Sequence, residues 1–480
     1  MDDRRPPESQ RLSGEDLAFW WLDSPTQPTT MAMLLLLDRA PDDTRLRCAF
    51  ERAVTAVPRL AQRVVDAPLD VTLPRWELDP TFDLDYHVRR HTLAREAGLD
   101  ELLREIAPAY ETAFDRSRPL WEARVYDGVG AAGEAALFFK LHHAVADGVG
   151  GNAIFAALTD DDRAPRCDGA AEPRDGTAPG HARGQPWPPT QPLGRRLLDA
   201  IRDRVELDLA RAGAVAGTVA ETIRHPASVV RAMQAVRSTV ESLRFDSHSP
   251  LKTVTGRARR LTALSLPFEE LRRVKRALGG TMIDVILTIM AQAIGRWHDA
   301  HGLDRVEELM TLVPVNLRTP EEWATKADVG NVATGLLVPL PIRARDIGRM
   351  FVEVRARMEA KKADPAARAT PLIAEIVSVL PRGFVTWMAE ATFGSVDFIV
   401  TNVPGILVPR YLAGAEIVAA YPFAPVASRS PVSVALYGYR DRLFIGVNSD
   451  EATMPDVDVF EAMIHDAFDA LRAVATSSRP

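Results

Sequence analysis

The stretch LHHAVADG, residues 141–148, closes the apolar run ALFFKLHH (136–143) and precedes a helix predicted over roughly 149–159. A short apolar run that ends at a turn signal predicts a buried strand. Successive side chains on a strand alternate between its two faces, so His142 and His143 are expected to point in opposite directions. The two imidazoles therefore cannot hold one metal ion together, and no metal site is predicted here.

The residues of this stretch are suited to acid–base chemistry. A neutral imidazole is the side chain best matched to accepting a proton near pH 7, and a hydroxyl nucleophile needs that help. Asp147 follows His143 by four residues, where its carboxylate could orient the imidazole or pair with an arginine and lock the loop. Gly148, Gly150 and Gly151 permit tight backbone conformations and the close approach of a ligand. The pattern HHxxxDG after an apolar strand thus favours a functional site over a structural histidine pair.

Strands and helices alternate on both sides of this stretch. MAMLLLLD (31–38) predicts a second buried strand, and RLRCAFERAVTAV (45–57) and LDELLREIAPAYETAF (99–114) predict amphipathic helices. From about residue 258 the alternation resumes with the strand RLTALSLP and helices around 268–277, 281–298 and 455–474; the turn YGYRDRL predicts a hairpin. The chain is therefore predicted to form two α/β halves.

A compositional break separates these halves. Residues 163–193 are rich in proline, glycine and small polar residues, which cannot bury enough apolar surface to offset the entropy of ordering. The predicted organisation is an N-terminal half (1–162) with the histidine motif, a disordered linker (163–193), and a C-terminal half with bridging helices (194–480). Two halves joined in this way favour a site between them.

The bridging region carries a helical apolar stripe. Leu197, Ile201, Val205 and Leu209 recur every four residues, and a second helix is predicted to begin near Pro226. Two interpretations remain open. The stripe either faces the protein core, or it forms a docking surface for a membrane or lipid droplet.

Composition excludes several classes of protein. The 480 residues include 46% hydrophobic and 26% charged residues with a net charge of −7, which argues against a nucleic-acid binder. Two distant cysteines, Cys48 and Cys167, exclude a disulfide framework and a cysteine zinc site, and they fit a reducing cytoplasm. No signal peptide and no apolar run of about 20 residues is recognisable. A GxSxG serine elbow is absent, which argues against a serine hydrolase.

HHAVADG (142–148) resembles the HHxxxDG signature of the coenzyme-A-dependent acyltransferase superfamily, which includes chloramphenicol acetyltransferase and peptide-synthetase condensation domains. Within that superfamily, the chain most resembles the bacterial wax ester synthase/diacylglycerol acyltransferase family. The further matching segments are RLSGEDLAFWWLDSPTQPTTMAMLLLL, PRWELDPTFDLDYHVRR, RPLWEARVYDG, VPVNLRTP, GNVATGLLVPLPI and DFIVTNVPGILVP. They occur in the expected order and span nearly the whole chain outside 163–193.

The resemblance implies an α/β (α+β) fold of two chloramphenicol-acetyltransferase-like domains, with mixed sheets flanked by helices and a tunnel between them. It also implies transfer of a long-chain acyl group from acyl-CoA to diacylglycerol or a long-chain alcohol. Coenzyme A would arrive as part of the co-substrate, so no cofactor is implied. Because such acceptors are insoluble in water, we expect a cytoplasmic protein with peripheral contact to a membrane or lipid droplet.

Carried over by position, the resemblance makes His143 the general base, His142 a structural residue and Asp147 an orienting residue. Gly148 would leave room for substrate in the channel. The family's PLW motif corresponds to Pro119, Leu120 and Trp121. These residues would shape the interior or the domain interface, either by contacting the substrate or by packing in the core.

Three residues of the C-terminal half complete the predicted site. Thr401 and Asn402 are candidate donors to the oxyanion of the tetrahedral intermediate, although TNVPG could equally be a polar turn. The family usually carries an Asn-Asp pair at the start of the long helix, whereas Ile283 precedes Asp284 here. Asp284 can still cap or pair, but activity or acceptor preference could be altered.

The alternative functions are acyl transfer to a polyketide, sugar or amine acceptor, and a role as a non-catalytic lipid-binding paralogue. The second-half motifs favour the lipid family, and the intact HHxxxDG argues for catalysis.

Overall fold

The structure, a computed structural model, describes residues 9–130, 133–146, 148–164, 194, 197–209, 213, 245–303, 305–315, 334–343, 346–364, 382–427 and 429–477. Most of the predicted linker and Asp147 lie outside these ranges. The helices are α1 (Gly14–Leu22), α2 (Asp43–Ala56), α3 (Leu84–His87), α4 (Leu99–Glu111), α5 (Gly148–Leu158), α6 (Phe268–Leu278), α7 (Met282–Ala300), α8 (Ile347–Ala363), α9 (Arg382–Gly394) and α10 (Val457–Ser477). Residues 197–209 are also helical.

The strands are β1 (Ser9–Arg11), β2 (Thr30–Leu37), β3 (Gln62–Val65), β4 (Arg75–Leu78), β5 (Val88–Ala97), β6 (Trp121–Val129), β7 (Glu134–His142), β8 (Arg259–Pro267), β9 (Glu308–Val315), β10 (Thr334–Pro341), β11 (Phe398–Ile406), β12 (Tyr411–Leu412), β13 (Ala415–Phe423), β14 (Val432–Tyr439) and β15 (Arg442–Asp450). The strands predicted at 31–38 and 136–143 correspond to β2 and β7. The predicted hairpin corresponds to β14 and β15, which pair antiparallel.

The first sheet has the strand order β12-β13-β2-β7-β6-β5. β2 and β7 run antiparallel, with Thr30 opposite His142. This register places His142, at the carboxyl end of β7, and His143, directly after it, beside the residues that lead into β2. A small sheet of β1, β4 and β3 lies in the same half of the chain.

The chain crosses back to complete the first sheet. β13 follows the predicted linker by more than 200 residues, yet it pairs with β2, with Tyr421 opposite Leu34. The sequence interpretation assigned all residues after 193 to the second half, and the sheets do not divide at that point. β2 is an apolar run that needs a partner along both edges, and β7 covers only one of them.

The second sheet has the order β10-β9-β11-β14-β15-β8 and mixes parallel with antiparallel pairs. α7 lies buried against it, packed by α10 and α8, with Val285, Ile289 and Ile294 among its buried residues. No single helix in the described ranges is long and apolar enough to cross a membrane. The consecutive helices α6 and α7 meet that test only as a pair bent by 99°.

The helix at 197–209 exposes three of the four apolar side chains that the sequence pattern singled out; the first of them, Leu197, is half-buried, and its neighbour Leu198 is exposed instead. Leu198, Ile201, Val205 and Leu209 are between 46% and 68% exposed. The opposite side docks on the N-terminal half, where Asp203 accepts hydrogen bonds from Arg11 and Arg75 and the side chains of Ala200 and Leu207 are buried. Of the two open interpretations, the described residues therefore favour a surface over a core-facing stripe.

Candidate active site

A cavity lies between the first and second sheets and is lined by residues from both. It encloses about 1410 Å³ of space, part of it open to solvent. Most lining side chains are apolar, and they include Phe19, Met33, Leu137, Phe139, Phe155, Leu312, Phe393, Ile399, Val403 and Phe423. Among the residues that the structure describes, the polar side chains that line it are those of Gln27, Thr29, His143, Asn152 and Thr401. A mostly apolar cavity with a few polar groups is typical of a ligand site.

His142 ends β7 with both ring nitrogens engaged. Its Nδ1 accepts the backbone N–H of Ala144 at 3.0 Å, so this nitrogen carries no proton. The proton is then on Nε2, which donates to Oγ1 of Thr29 at 2.9 Å. Burial lowers the pKa of His142 to about 4, which keeps the ring neutral at pH 7. A neutral imidazole with both nitrogens engaged has no lone pair left for substrate, and the structural role of His142 stays a prediction.

His143 lies in the turn after β7 and lines the cavity. Its backbone N–H donates to the carbonyl of Thr29 at 2.8 Å, and its ring stacks on that of Phe19 with centroids 3.7 Å apart. Nδ1 is buried and has no hydrogen-bond partner among the described residues. Burial lowers the pKa of His143 to about 4, although a contact with the residue's own backbone opposes this shift. The imidazole is therefore neutral at pH 7 and retains proton-accepting capacity inside an apolar cavity.

The start of α5 contacts the second sheet beside the cavity. A Cβ atom on Gly148 would lie 3.2 Å from Cγ2 of Val403 on β11, so only glycine fits without displacement. One helical turn later, Nδ2 of Asn152 donates to the carbonyl of Pro404 at 2.6 Å. Gly148 therefore allows close contact between the halves at the cavity wall. Asp147, the residue before it, lies outside the described residues, and its orienting role stays a prediction.

Thr401 and Asn402 are adjacent on β11 and occupy different environments. Thr401 lines the cavity together with Ile399 and Val403, whereas Asn402 is exposed and does not line it. The reason is the alternation of side chains along a strand, which places residues 399, 401 and 403 on one face. The expectation that Asn402 is an oxyanion donor is therefore not supported by its position, while Thr401 remains available.

Comparison with known families places the chain. The family model of the wax ester synthase/diacylglycerol acyltransferase catalytic domain matches residues 12–286, and the model of the C-terminal domain of the same family matches residues 329–472. The chain belongs to this family. It is accordingly an acyltransferase, and the resemblance stated from its motifs is confirmed.

Relatives of the wax ester synthase/diacylglycerol acyltransferase family align over almost the whole chain. Two from Mycobacterium tuberculosis strains, both named diacylglycerol O-acyltransferases, are 32% identical over 98% of this chain and 94% of their own length. Another from the same species, named alike, is 28% identical over 97% of this chain and 98% of its own.

Solved structures confirm the predicted fold. The wax ester synthase/diacylglycerol acyltransferase from Marinobacter aquaeolei VT8 superposes with a TM-score of 0.65 at 20% identity, covering 97% of this chain and all of that one. The first condensation domain of the calcium-dependent antibiotic synthetase gives a TM-score of 0.61 at 17% identity, covering 98% and 97%. At these identities the likeness establishes the two-domain architecture with mixed sheets.

Four predicted site residues of this family member lie away from the cavity. Pro119, Leu120 and Trp121 are buried in the first half, where Nε1 of Trp121 donates to the carbonyl of Leu60 at 2.7 Å. Asp284 caps α7, accepting the backbone N–H of Thr281 at 2.7 Å. The PLW residues and Asp284 thus have packing and capping contacts, and none of them lines the cavity.

Sequence reasoning missed three residues of the site: Phe19, Thr29 and Asn152. Phe19 and Thr29 belong to a segment more than 100 residues before the histidines; the β2–β7 pairing brings Thr29 beside His143, and Phe19 of α1 stacks on the same ring. A correct prediction of that strand pairing would have identified Thr29, because the register with Thr30 opposite His142 places Thr29 next to His143. Asn152 could have been found from its place on the first turns of α5, four residues after Gly148.

Proposed function

We propose that the chain transfers a long-chain acyl group from acyl-CoA to the hydroxyl of diacylglycerol or a long-chain alcohol, with His143 as general base. The observation that carries the proposal is the contrast between the two histidines. Both nitrogens of His142 are engaged, whereas His143 faces an apolar cavity between the sheets with a neutral ring. A neutral imidazole in contact with bound substrate is suited to proton abstraction.

The proposed reaction is a direct transfer. The imidazole of His143 takes the proton of the acceptor hydroxyl while the oxygen attacks the thioester carbonyl. The resulting oxyanion is stabilised by a donor in the cavity wall, for which Thr401 is positioned by lining the cavity. Collapse of the tetrahedral intermediate breaks the C–S bond, and the thiolate of coenzyme A recovers the proton from the imidazolium. The ester and free coenzyme A are the products.

Support for the acceptor comes from the relatives and from the cavity. The Mycobacterium tuberculosis relatives are named diacylglycerol O-acyltransferases, and the family name also includes wax ester synthesis. The apolar lining suits long acyl chains. Ile283, in place of the asparagine usual in the family, lies at the start of α7 and packs against the apolar residues buried between α7 and the second sheet, so we propose that it affects acceptor preference only indirectly.

The test is an acceptor panel with the purified protein. Radiolabelled palmitoyl-CoA is incubated with diacylglycerols, long-chain alcohols, and polar acceptors such as an amine and a sugar, and the labelled products are separated. We expect label in triacylglycerol, in wax ester, or in both. Label transferred only to the polar acceptors, or to none of the panel, would contradict the proposed substrate class.

We further propose that the exposed stripe on residues 197–209 contacts a lipid surface from which the acceptor is collected. The arginines of this helix pair with acids on it, Arg202 with Glu206 and Arg204 with Asp208. The apolar side chains should therefore provide most of the binding, and high salt should weaken it little.

Liposome flotation tests this contact. We expect the wild-type protein to float and the variant Val205→Asp to stay in the dense fraction. Val459→Asp is the matched control, because Val459 is a similarly exposed valine on α10. Equal flotation of Val205→Asp and Val459→Asp would place the lipid contact elsewhere, and no flotation of the wild type would leave delivery of the acceptor through solution.

A further inference from the structure

One threonine binds both histidines of the motif. The carbonyl of Thr29 accepts the backbone N–H of His143 at 2.8 Å, and its Oγ1 accepts the ring Nε2–H of His142 at 2.9 Å. Thr29 is 4% exposed and also lines the cavity. It therefore contacts the general base, the neighbouring structural histidine and the space that the substrate would fill.

A carboxylate and a guanidinium group hold the backbone of Thr29 in place. The backbone N–H of Thr29 donates to Oδ1 of Asp23 at 3.0 Å, and Oδ2 of the same carboxylate accepts from Arg116 at 2.8 Å. The guanidinium of Arg116 lies over the ring of Trp20, 4.1 Å from its centroid. Trp20 in turn packs edge-on against His142. Both oxygens of Asp23 are thus used to fix the position of Thr29.

The hydroxyl of Thr29 decides the state of His142. Because Nδ1 of His142 accepts from Ala144, its Nε2 must carry the proton and needs an acceptor. Oγ1 of Thr29 supplies it; Oδ2 of Asp23 lies 3.9 Å from the same nitrogen, beyond hydrogen-bond distance. Loss of the hydroxyl would leave a buried N–H without a partner, which favours rotation of the ring toward Asp23.

We propose that Thr29, held by Asp23 and Arg116, is a positioning residue for acyl transfer. It acts through the histidines: its carbonyl fixes the backbone of His143, and its hydroxyl keeps His142 in one tautomer and one orientation. It transfers no proton. This inference rests on the proposed role of His143 as general base, since the orientation of that ring matters only if the ring acts on the substrate.

The test is the near-isosteric substitution Thr29→Val, which removes the hydroxyl and keeps the backbone carbonyl. We expect kcat to fall about tenfold to a hundredfold, as small misplacements of a catalytic group do, while KM for palmitoyl-CoA stays near the wild-type value. Thr29→Ser should restore most of kcat because it restores the acceptor. Thr30→Val is the matched control: it changes the adjacent threonine, whose side chain does not line the cavity.

Each outcome separates this inference from the proposed function. Wild-type kcat in Thr29→Val, with an inactive His143→Ala, overturns the role of Thr29 and leaves the general base in place. An active His143→Ala overturns the general base instead. Equal losses in Thr29→Val and Thr29→Ser, parallel to losses of melting temperature, show a role in folding only and also overturn the inference. If Thr29→Val does not fold, Asp23→Asn takes its place, because it keeps the Thr29 contact but weakens the pair with Arg116; a kcat-selective loss supports the inference and an unchanged kcat opposes it.

Discussion

At the scale of single residues, the two adjacent histidines should respond differently to substitution. His143→Ala removes the proposed base and should lower kcat by about 10²- to 10⁴-fold, the usual contribution of a positioned acid–base group. The measurement is palmitoyl transfer to diacylglycerol, with circular dichroism to confirm folding. His91→Ala, which changes another histidine of the same half outside the cavity, serves as the control. A folded His143→Ala protein with a near-wild-type rate would disprove the proposed mechanism.

Buried histidines should also make stability depend on pH. Burial lowers the pKa of His87, His142 and His143 to about 4 each, against about 6.5 in an unfolded chain. Between these values the unfolded state binds more protons than the folded state, so the free energy of unfolding rises with pH. Acidification from pH 7 to 5 should therefore destabilise the protein by a few kcal/mol, at about 1.4 kcal/mol per pKa unit and group.

Urea unfolding at pH 7, 6 and 5 measures this dependence. Asp397 acts in the opposite direction, because burial raises its pKa to about 6 and its folded form gains a proton first as the pH falls. Burial also raises the pKa of Asp16 and Glu461 and lowers that of His91 and His298, so that three carboxyls are set against five histidines among the described residues and the net slope stays positive. His87→Phe should flatten the slope, since His87 lies buried between Phe82 and Trp121 and away from the cavity. A slope that does not change in this variant would contradict the assignment.

At the scale of elements, the contact of α5 with β11 should be sensitive to one methyl group. Gly148→Ala places a Cβ 3.2 Å from Val403 and should destabilise the protein by about 1–3 kcal/mol, as overpacking does. Alanine is otherwise the better helix former, so a loss would come from this contact. Val403→Ala should rescue it, and a double-mutant cycle by urea unfolding measures the coupling. Additive effects of the two substitutions would show that Gly148 and Val403 do not interact.

The local sequence pattern was enough to predict most of the helices and strands. β2, β7, α7 and the β14–β15 hairpin were predictable because each is a continuous apolar or amphipathic run bounded by turn signals. The position of β13 in the first sheet was not predictable, because pairing between strands nearly 400 residues apart leaves no pattern in the local sequence. The separation of Thr401 from Asn402 followed from strand alternation, once TNVPG was placed on a strand and not in a turn.

At the scale of the whole molecule, the two halves should stay together when the connection between them is cut. Cleavage within residues 165–193 should leave both fragments co-eluting in gel filtration, because Tyr421, Phe423 and Tyr437 of the second fragment lie in the core of the first half. Arg259 provides a second contact between the fragments. It forms a buried ion pair with Asp450 of its own fragment and donates a hydrogen bond to the carbonyl of Thr26 in the other. Fragments that separate and each remain folded would contradict this architecture.

The site could be predicted only where the sequence carries its chemistry in one place. His143 and Gly148 lie within one short motif, and both line the cavity. Phe19 and Thr29 touch the same histidine from another segment, and their residue types alone are compatible with ordinary packing. Trp121 is the opposite case: it belongs to a motif of the family, yet it packs in the core and does not line the cavity.

The return of β13 to the first sheet has a consequence during synthesis. When residue 142 leaves the ribosome, β2 and β7 can pair, but the other edge of β2 stays open until residue 423 has also emerged. At about 5–20 residues per second, the roughly 280 intervening residues take about 15 to 60 s. An open apolar edge is a template for pairing with other chains. The nascent protein therefore exposes this edge for more than half of its translation, and a premature stop anywhere before β13 yields a chain that cannot close its first sheet.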